Sequence, residues 1–158
     1  MSNEIPTSQC DLSIAGELSI YRADELKQAL IEPLKAGVRM VINLAGVTDF
    51  DTQFAADSAV YWLDHSVGGT PWKKSPAYDA QNPMTHAANF KTPTLVIHNE
   101  LDYRVPVAQG LQFYAALQAQ NVPSRLVYFP DENHWVLKPQ NSVFWYGEVH
   151  TWLKRWVK

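Results

Sequence analysis

The sequence is poor in the features that mark several classes of protein. It has a single cysteine, Cys10, so it can form neither an internal disulfide nor a thiolate metal cage. No apolar run approaches the roughly 20 residues that a membrane-spanning helix needs. The 13 Lys and Arg against 16 Asp and Glu give a formal charge of −3, with no basic cluster suited to nucleic acid. The first residues lack the basic-then-apolar order of a secretory signal, so we expect a cytoplasmic protein.

What the sequence does contain is enough apolar material for a packed core. Hydrophobic residues make up 46% of the 158 positions. They are unevenly distributed, because all 6 Trp fall between Trp62 and Trp156 while residues 1–46 are aliphatic. Such a shift is typical of a domain boundary, or of a join between unrelated sources.

The front of the chain predicts a β-β-α-β order. Residues 12–15 and 18–21 are short strand-like runs, and apolar residues then recur at helical spacing from Ala23 to Gly37. Residues 38–44 predict a buried strand. The middle of the chain is less regular, with one short helix predicted over 54–63.

The last third predicts strands at 94–98 and 125–129, each followed by a helix. We expect the final helix to have its N-cap at Asn141 or Ser142. Its predicted apolar face comprises Trp145, Val149, Trp152 and Trp156. The helix between the strands has a predicted apolar face of Val107, Leu111, Tyr114 and Leu117. Strands that alternate with helices over short links predict an α/β fold with a mainly parallel sheet and flanking helices.

Two chemically active residues follow the predicted strands of this last third. Asp102 comes after strand 94–98, and His134 comes after strand 125–129. Reactive groups of parallel α/β sheets gather beyond the carboxyl ends of the strands, and an acid followed by a histidine is the order of the last two α/β-hydrolase triad members. The alternative interpretation is two loop residues that make ordinary hydrogen bonds.

The sequence segments around these residues resemble those of a known family. Asn89 to His98, Glu100 to Pro106 and Phe129 to Ser142 are similar to the carboxyl-terminal part of the prolyl oligopeptidase family of serine peptidases, in its dipeptidyl and acylaminoacyl peptidase branch. The resemblance extends from about Asp49 to the end of the chain. It implies a truncated α/β-hydrolase fold, Asp102 as the triad acid, His134 as the triad base, and short peptides as substrates.

The nucleophile of that family is missing from the sequence. No Gly-x-Ser-x-Gly elbow is present, and the nearest imitation, at Ser66, is followed by Pro71, which forbids the helix that would build the oxyanion hole. We therefore expect an enzyme that is impaired or inactive alone, since removing triad members costs orders of magnitude in rate. We expect no cofactor. His98-Asn-Glu100 matches half of a zinc-deaminase signature, but its Pro-Cys-x-x-Cys is absent, so we assign no metal site.

The front of the chain resembles a second family. Leu12 to Tyr21, Ala23 to Leu30 and Val41 to Thr48 are similar to the STAS domain of anti-sigma factor antagonists and sulphate transporters. The resemblance implies a β-β-α-β front and a regulatory phosphorylation site at Thr52. A phosphate there would add nearly two negative charges to a surface that contacts a protein partner.

The two resemblances together predict a chimera-like chain. We expect a partial STAS-like segment at 1–48 and the hydrolase-like part at 49–158, which could merge into one domain. Two functions remain open beside that of an impaired peptidase. One is a non-enzymatic regulatory module that binds a partner protein through its STAS-like face, and the other is a chimeric scaffold with no selected function.

Overall fold

The computed structural model describes residues 40–56 and 59–156 of the chain. Three strands form one parallel sheet in the order β1 (Val41–Leu44), β2 (Thr94–Asn99) and β3 (Ser124–Phe129). Strand β2 lies in the centre, where Thr94 is in register with both Val41 and Ser124. The predicted α/β class and parallel sheet are confirmed.

Helices flank this sheet and fill its connections. Their bounds are α1 (Phe50–Gln53), α2 (Ala59–Val67), α3 (Pro76–Gln81), a 3-10 helix (Pro83–Asn89), α4 (Ala108–Ala119) and α5 (Pro139–Trp156). None of these described helices combines the length and the apolar character needed to cross a bilayer.

The core has two layers because side chains of β2 alternate between the faces of the sheet. Leu95 and Ile97 pack toward α5, where Trp152 is buried against them. Val96 points to the other face and packs with Leu117 of α4. The sheet is therefore sandwiched between α4 and α5, which fixes the ends of β2 and β3 where the site lies.

A third apolar cluster forms in the long connection between β1 and β2. Phe50, Leu63, Val67 and Tyr78 are buried together, with the rings of Phe50 and Tyr78 edge to face at 5.3 Å. This connection therefore has its own small core beside the sheet.

The helix predicted over 54–63 is displaced, since residues 54–56 are not helical and a helix runs over Ala59–Val67 instead. Asp49 caps α1 by accepting a hydrogen bond from the backbone N–H of Thr52, so the helical segment starts earlier. It ends at Gln53, and Phe54 turns away to pack edge to face on Trp72. The second helix begins only at Ala59.

Two further predictions need correction. The strand over 38–44 is not buried throughout, since Val41 and Leu44 are 36% and 45% exposed. Among the described strands β1 has a neighbour on one side only. Helix α5 begins at Pro139, so neither Asn141 nor Ser142 is its N-cap. Pro is favoured at the first position of a helix because its missing N–H is not needed there.

The predicted apolar face of α4 is displaced. Leu111 is 45% exposed, whereas Gln109 and Gly110 are buried. Gly110 lies against His98, and Gln109 enters a polar network described below.

The strands and the helix predicted within 12–37 lie outside the described residues.

Candidate active site

Asp102 and His134 lie next to each other beyond the carboxyl ends of β2 and β3. The Nδ1 atom of His134 is 2.9 Å from the Oδ2 atom of Asp102. The Asp102 side chain is fully buried, whereas the His134 side chain is 27% exposed. An ionised carboxylate only accepts hydrogen bonds, so Nδ1 of His134 donates and Nε2 of the neutral ring is left as an acceptor.

The other carboxylate oxygen of Asp102 is held by its own loop. Oδ1 accepts hydrogen bonds from the backbone N–H groups of Arg104 and Val105, at 3.0 and 2.9 Å. An Asp that bonds to the backbone two and three residues ahead closes a tight turn. This turn leaves Oδ2 directed at His134.

The loop that carries His134 is organised by Glu132, a buried carboxylate. It accepts hydrogen bonds from the backbone N–H groups of Leu137 and Lys138 and from the side-chain amide of Asn141. Burial works to raise the pKa of Glu132, but these donors together hold that pKa below its ordinary value of 4.5. The loop therefore folds around a charge that is present at neutral pH.

The surface beside His134 is aromatic. Trp135 and Tyr103 are exposed, and the guanidinium of Arg104 lies over the Trp135 ring. The Trp135 ring of this cation–π pair also meets the His134 ring edge to face, with the centroids 5.4 Å apart.

Within the described ranges, no side-chain hydroxyl hydrogen-bonds to the His134 ring. Ser66 lies in the last turn of α2 and is exposed, so it is not at a strand-to-helix turn. The described residues also hold no group of three or more His, Cys, Asp and Glu side chains arranged for a metal ion.

Thr52 lies in α1 at a partly buried position. Its hydroxyl oxygen is 2.6 Å from Oδ2 of Asp49 and 2.9 Å from the side chain of Gln112. A phosphate on that oxygen would stand against the Asp49 carboxylate. Phosphorylation of Thr52 stays a prediction.

Gln109 is a residue near the site that the sequence did not reveal. Its fully buried Oε1 accepts from the backbone N–H groups of Thr48 and Asp49, and its Nε2 donates to the Asp49 carbonyl and to Gln53. Gln53 in turn donates to the carbonyl of Arg104 in the Asp102 turn. The only signal in the sequence was a polar residue beside Gly110 near the start of a helix.

Comparison with known proteins identifies the family of the chain. A family profile described as the Prolyl oligopeptidase family matches residues 38–158. The chain belongs to this family. The match includes β1, which lies within the segment predicted to be STAS-like.

Individual relatives cover most of the chain but little of their own length. Dipeptidyl-peptidase 5 of Schizosaccharomyces pombe is 38% identical over 126 residues, which are 80% of this chain and 18% of that protein. A probable dipeptidyl-peptidase 5 of Aspergillus terreus is 42% identical over 113 residues, or 67% of this chain and 16% of that protein. The chain thus spans less than a fifth of these family members.

A solved structure supports the fold. The acylaminoacyl peptidase of Pyrococcus horikoshii superposes with a TM-score of 0.71 at 24% identity, over 76% of this chain and 20% of that one. The described sheet and helices therefore match part of an α/β-hydrolase structure.

The comparisons give no support to the STAS segment or to a chimera. The boundary predicted between residues 48 and 49 stays a prediction, as does the cytoplasmic location.

Proposed function

We propose that this chain supplies the acid–base pair of a serine-peptidase active site and lacks a competent nucleophile of its own. The observation that carries the proposal is the 2.9 Å hydrogen bond between Nδ1 of His134 and the buried carboxylate of Asp102. The pair stands where two neighbouring parallel strands end, in a chain of the prolyl oligopeptidase family.

The roles of the two residues follow from their geometry. Asp102 holds the His134 imidazole in the Nδ1–H tautomer and stabilises the imidazolium when a proton is taken up. Nε2 of His134 is then the atom that accepts the proton of a nucleophile and returns it to the leaving group. Short peptides are the proposed substrates, because the relatives are dipeptidyl-peptidases.

The proposed inactivity in isolation rests on the missing partner of Nε2. Acyl transfer requires a nucleophile within hydrogen-bond reach of the base, beside donors that stabilise the oxyanion. The sequence has no nucleophile elbow, and Ser66 is an exposed residue in the last turn of α2. Without a nucleophile, the base alone does not cleave the peptide bond at a measurable rate.

An activated ester tests the base separately from the missing nucleophile. With its proton held on Nδ1, the imidazole can itself attack p-nitrophenyl acetate through Nε2 and expel p-nitrophenolate. We expect ester cleavage by the intact chain above the rate of the His134→Ala variant. Asp102→Asn should lower that excess because the ring then favours the other tautomer. His150→Ala, which removes an exposed histidine of α5, is the matched control.

A dipeptidyl arylamide tests the second half of the proposal. We expect no release of the arylamine above the level of His134→Ala, because amide cleavage needs the nucleophile. Arylamide cleavage that depends on His134 would show that a nucleophile is present. Ester cleavage equal in the intact chain and in His134→Ala would contradict the role of His134.

A further inference from the structure

A second histidine lies beneath the Asp102 turn. The side chain of His98, at the end of β2, is fully buried. Its Nε2 is 2.8 Å from the carbonyl oxygen of Val105 and 3.8 Å from Oδ2 of Asp102. His98 therefore contacts the turn whose N–H groups hold the carboxylate that faces His134.

The surroundings of His98 fix its protonation state. The Val105 carbonyl can only accept, so Nε2 of His98 carries the hydrogen. Nδ1 has no hydrogen-bond partner in the described part of the chain, and a Cβ on Gly110 would stand 2.6 Å from it. A second proton on Nδ1 would be buried without an acceptor. Burial also lowers the pKa of His98, so the ring stays neutral.

We propose that His98 is a positioning residue, which holds the Asp102–Val105 turn through its Nε2–H and so keeps the Asp102 carboxylate on Nδ1 of His134. The hydrogen bond to the Val105 carbonyl orients the turn that presents the backbone N–H groups to Oδ1 of Asp102. The proposal deepens the proposed function and rests on it, since it assigns His98 to the same acid–base pair.

Neutrality is part of this role. Oδ2 of Asp102 stands between two imidazoles, at 2.9 Å from His134 and 3.8 Å from His98. A charged His98 would compete with His134 for the single negative charge. A neutral His98 does not compete, so the negative charge of Asp102 stabilises the protonated form of His134.

Nitrogen-15 NMR of the full chain tests the proposal without needing catalysis. The chemical shifts of the two ring nitrogens report which one carries the proton in each histidine. We expect His98 to be in the neutral Nε2–H form at neutral pH, and neutral His134 to favour Nδ1–H. A protonated or Nδ1–H form of His98 at neutral pH overturns the proposal, and this measurement needs no variant.

Two variants of His98 separate positioning from packing. His98→Gln keeps an N–H donor near the position of Nε2, whereas His98→Met has a similar length and no donor. We expect the Nδ1–H to Nε2–H ratio of His134 to fall about fivefold in the Met variant, the size of one net hydrogen bond, and to recover in the Gln variant. His150→Gln is the control for replacing a histidine elsewhere.

The outcomes distinguish failure of the His98 positioning role from failure of the proposed Asp102–His134 pair. An unchanged His134 ratio in His98→Met overturns the positioning role while the pair of Asp102 and His134 stands. A ratio that falls equally in the Gln and Met variants also overturns it. Absence of the Nδ1–H form of His134 in the intact chain overturns the proposed function and the role of His98 together.

Discussion

Replacing Gln109 with Leu should destabilise the protein more than any change on the exposed side of the same helix. The substitution keeps the side chain's approximate size but removes its amide. The backbone N–H groups of Thr48 and Asp49 then lose their acceptor at 2.9 and 2.8 Å, in a buried environment. Each buried donor without a partner costs about 1–3 kcal/mol, so the two together predict a loss of about 2–6 kcal/mol.

Urea unfolding followed by tryptophan fluorescence measures this loss, because tryptophans pack on both the sheet and the connection. Gln118→Leu is the matched control on the same helix. Gln118 is exposed, and among the described residues its amide hydrogen-bonds to Ser124 alone, so its replacement should change the free energy of unfolding by no more than about 0.5 kcal/mol. A loss below about 1 kcal/mol in Gln109→Leu would refute the reasoning about the buried network.

The remaining predictions concern two carboxylates. Because donors such as the N–H of Leu137 hold the pKa of Glu132 below 4.5, the stability it contributes is present above that value and is lost as the pH falls through the folded-state pKa. Glu132→Gln should therefore lose less stability than the intact chain between pH 7 and pH 3, as measured by thermal unfolding. Burial works to raise the pKa of Asp49, but hydrogen bonds from Thr52 and Asn82 hold it low. Thr52→Val should raise the Asp49 pKa in an NMR titration and lower stability by about 1–2 kcal/mol, and an unmoved pKa would contradict this account.

The parts of the fold that the sequence predicts are those governed by local pattern. Apolar runs bounded by turns predicted β2 and β3, and the central strand β2 is buried along its whole length. Asp102 and His134 could be predicted because each lies within five residues of the end of such a strand, and the ends of neighbouring parallel strands share one edge. Their proximity follows from the parallel register of β2 and β3.

The parts that the sequence did not predict depend on hydrogen-bond partners outside the local helix or strand pattern, from 7 to 61 positions away. Gln109 reads as a surface residue until Thr48, about sixty positions earlier, is placed against it. The same is true of Asn141, whose type favours an N-cap but whose amide is taken by Glu132. His98 resembled half of a zinc motif, and only the position of the Val105 carbonyl gives its ring another role. In each case a tertiary hydrogen bond overrides the local preference.

The most direct test of the central claim is the intact mass of the protein after treatment with a fluorophosphonate, which phosphonylates an activated serine. The claim is that Asp102 and His134 form an acid–base pair, and that the chain has no nucleophile from which His134 could take a proton. It predicts that no serine or threonine of the intact chain gains an adduct that depends on His134. A serine or threonine adduct that is present on the intact chain and absent from His134→Ala would contradict the claim, and the modified peptide would identify the residue. An adduct on the His134 ring itself reports only its reactive Nε2.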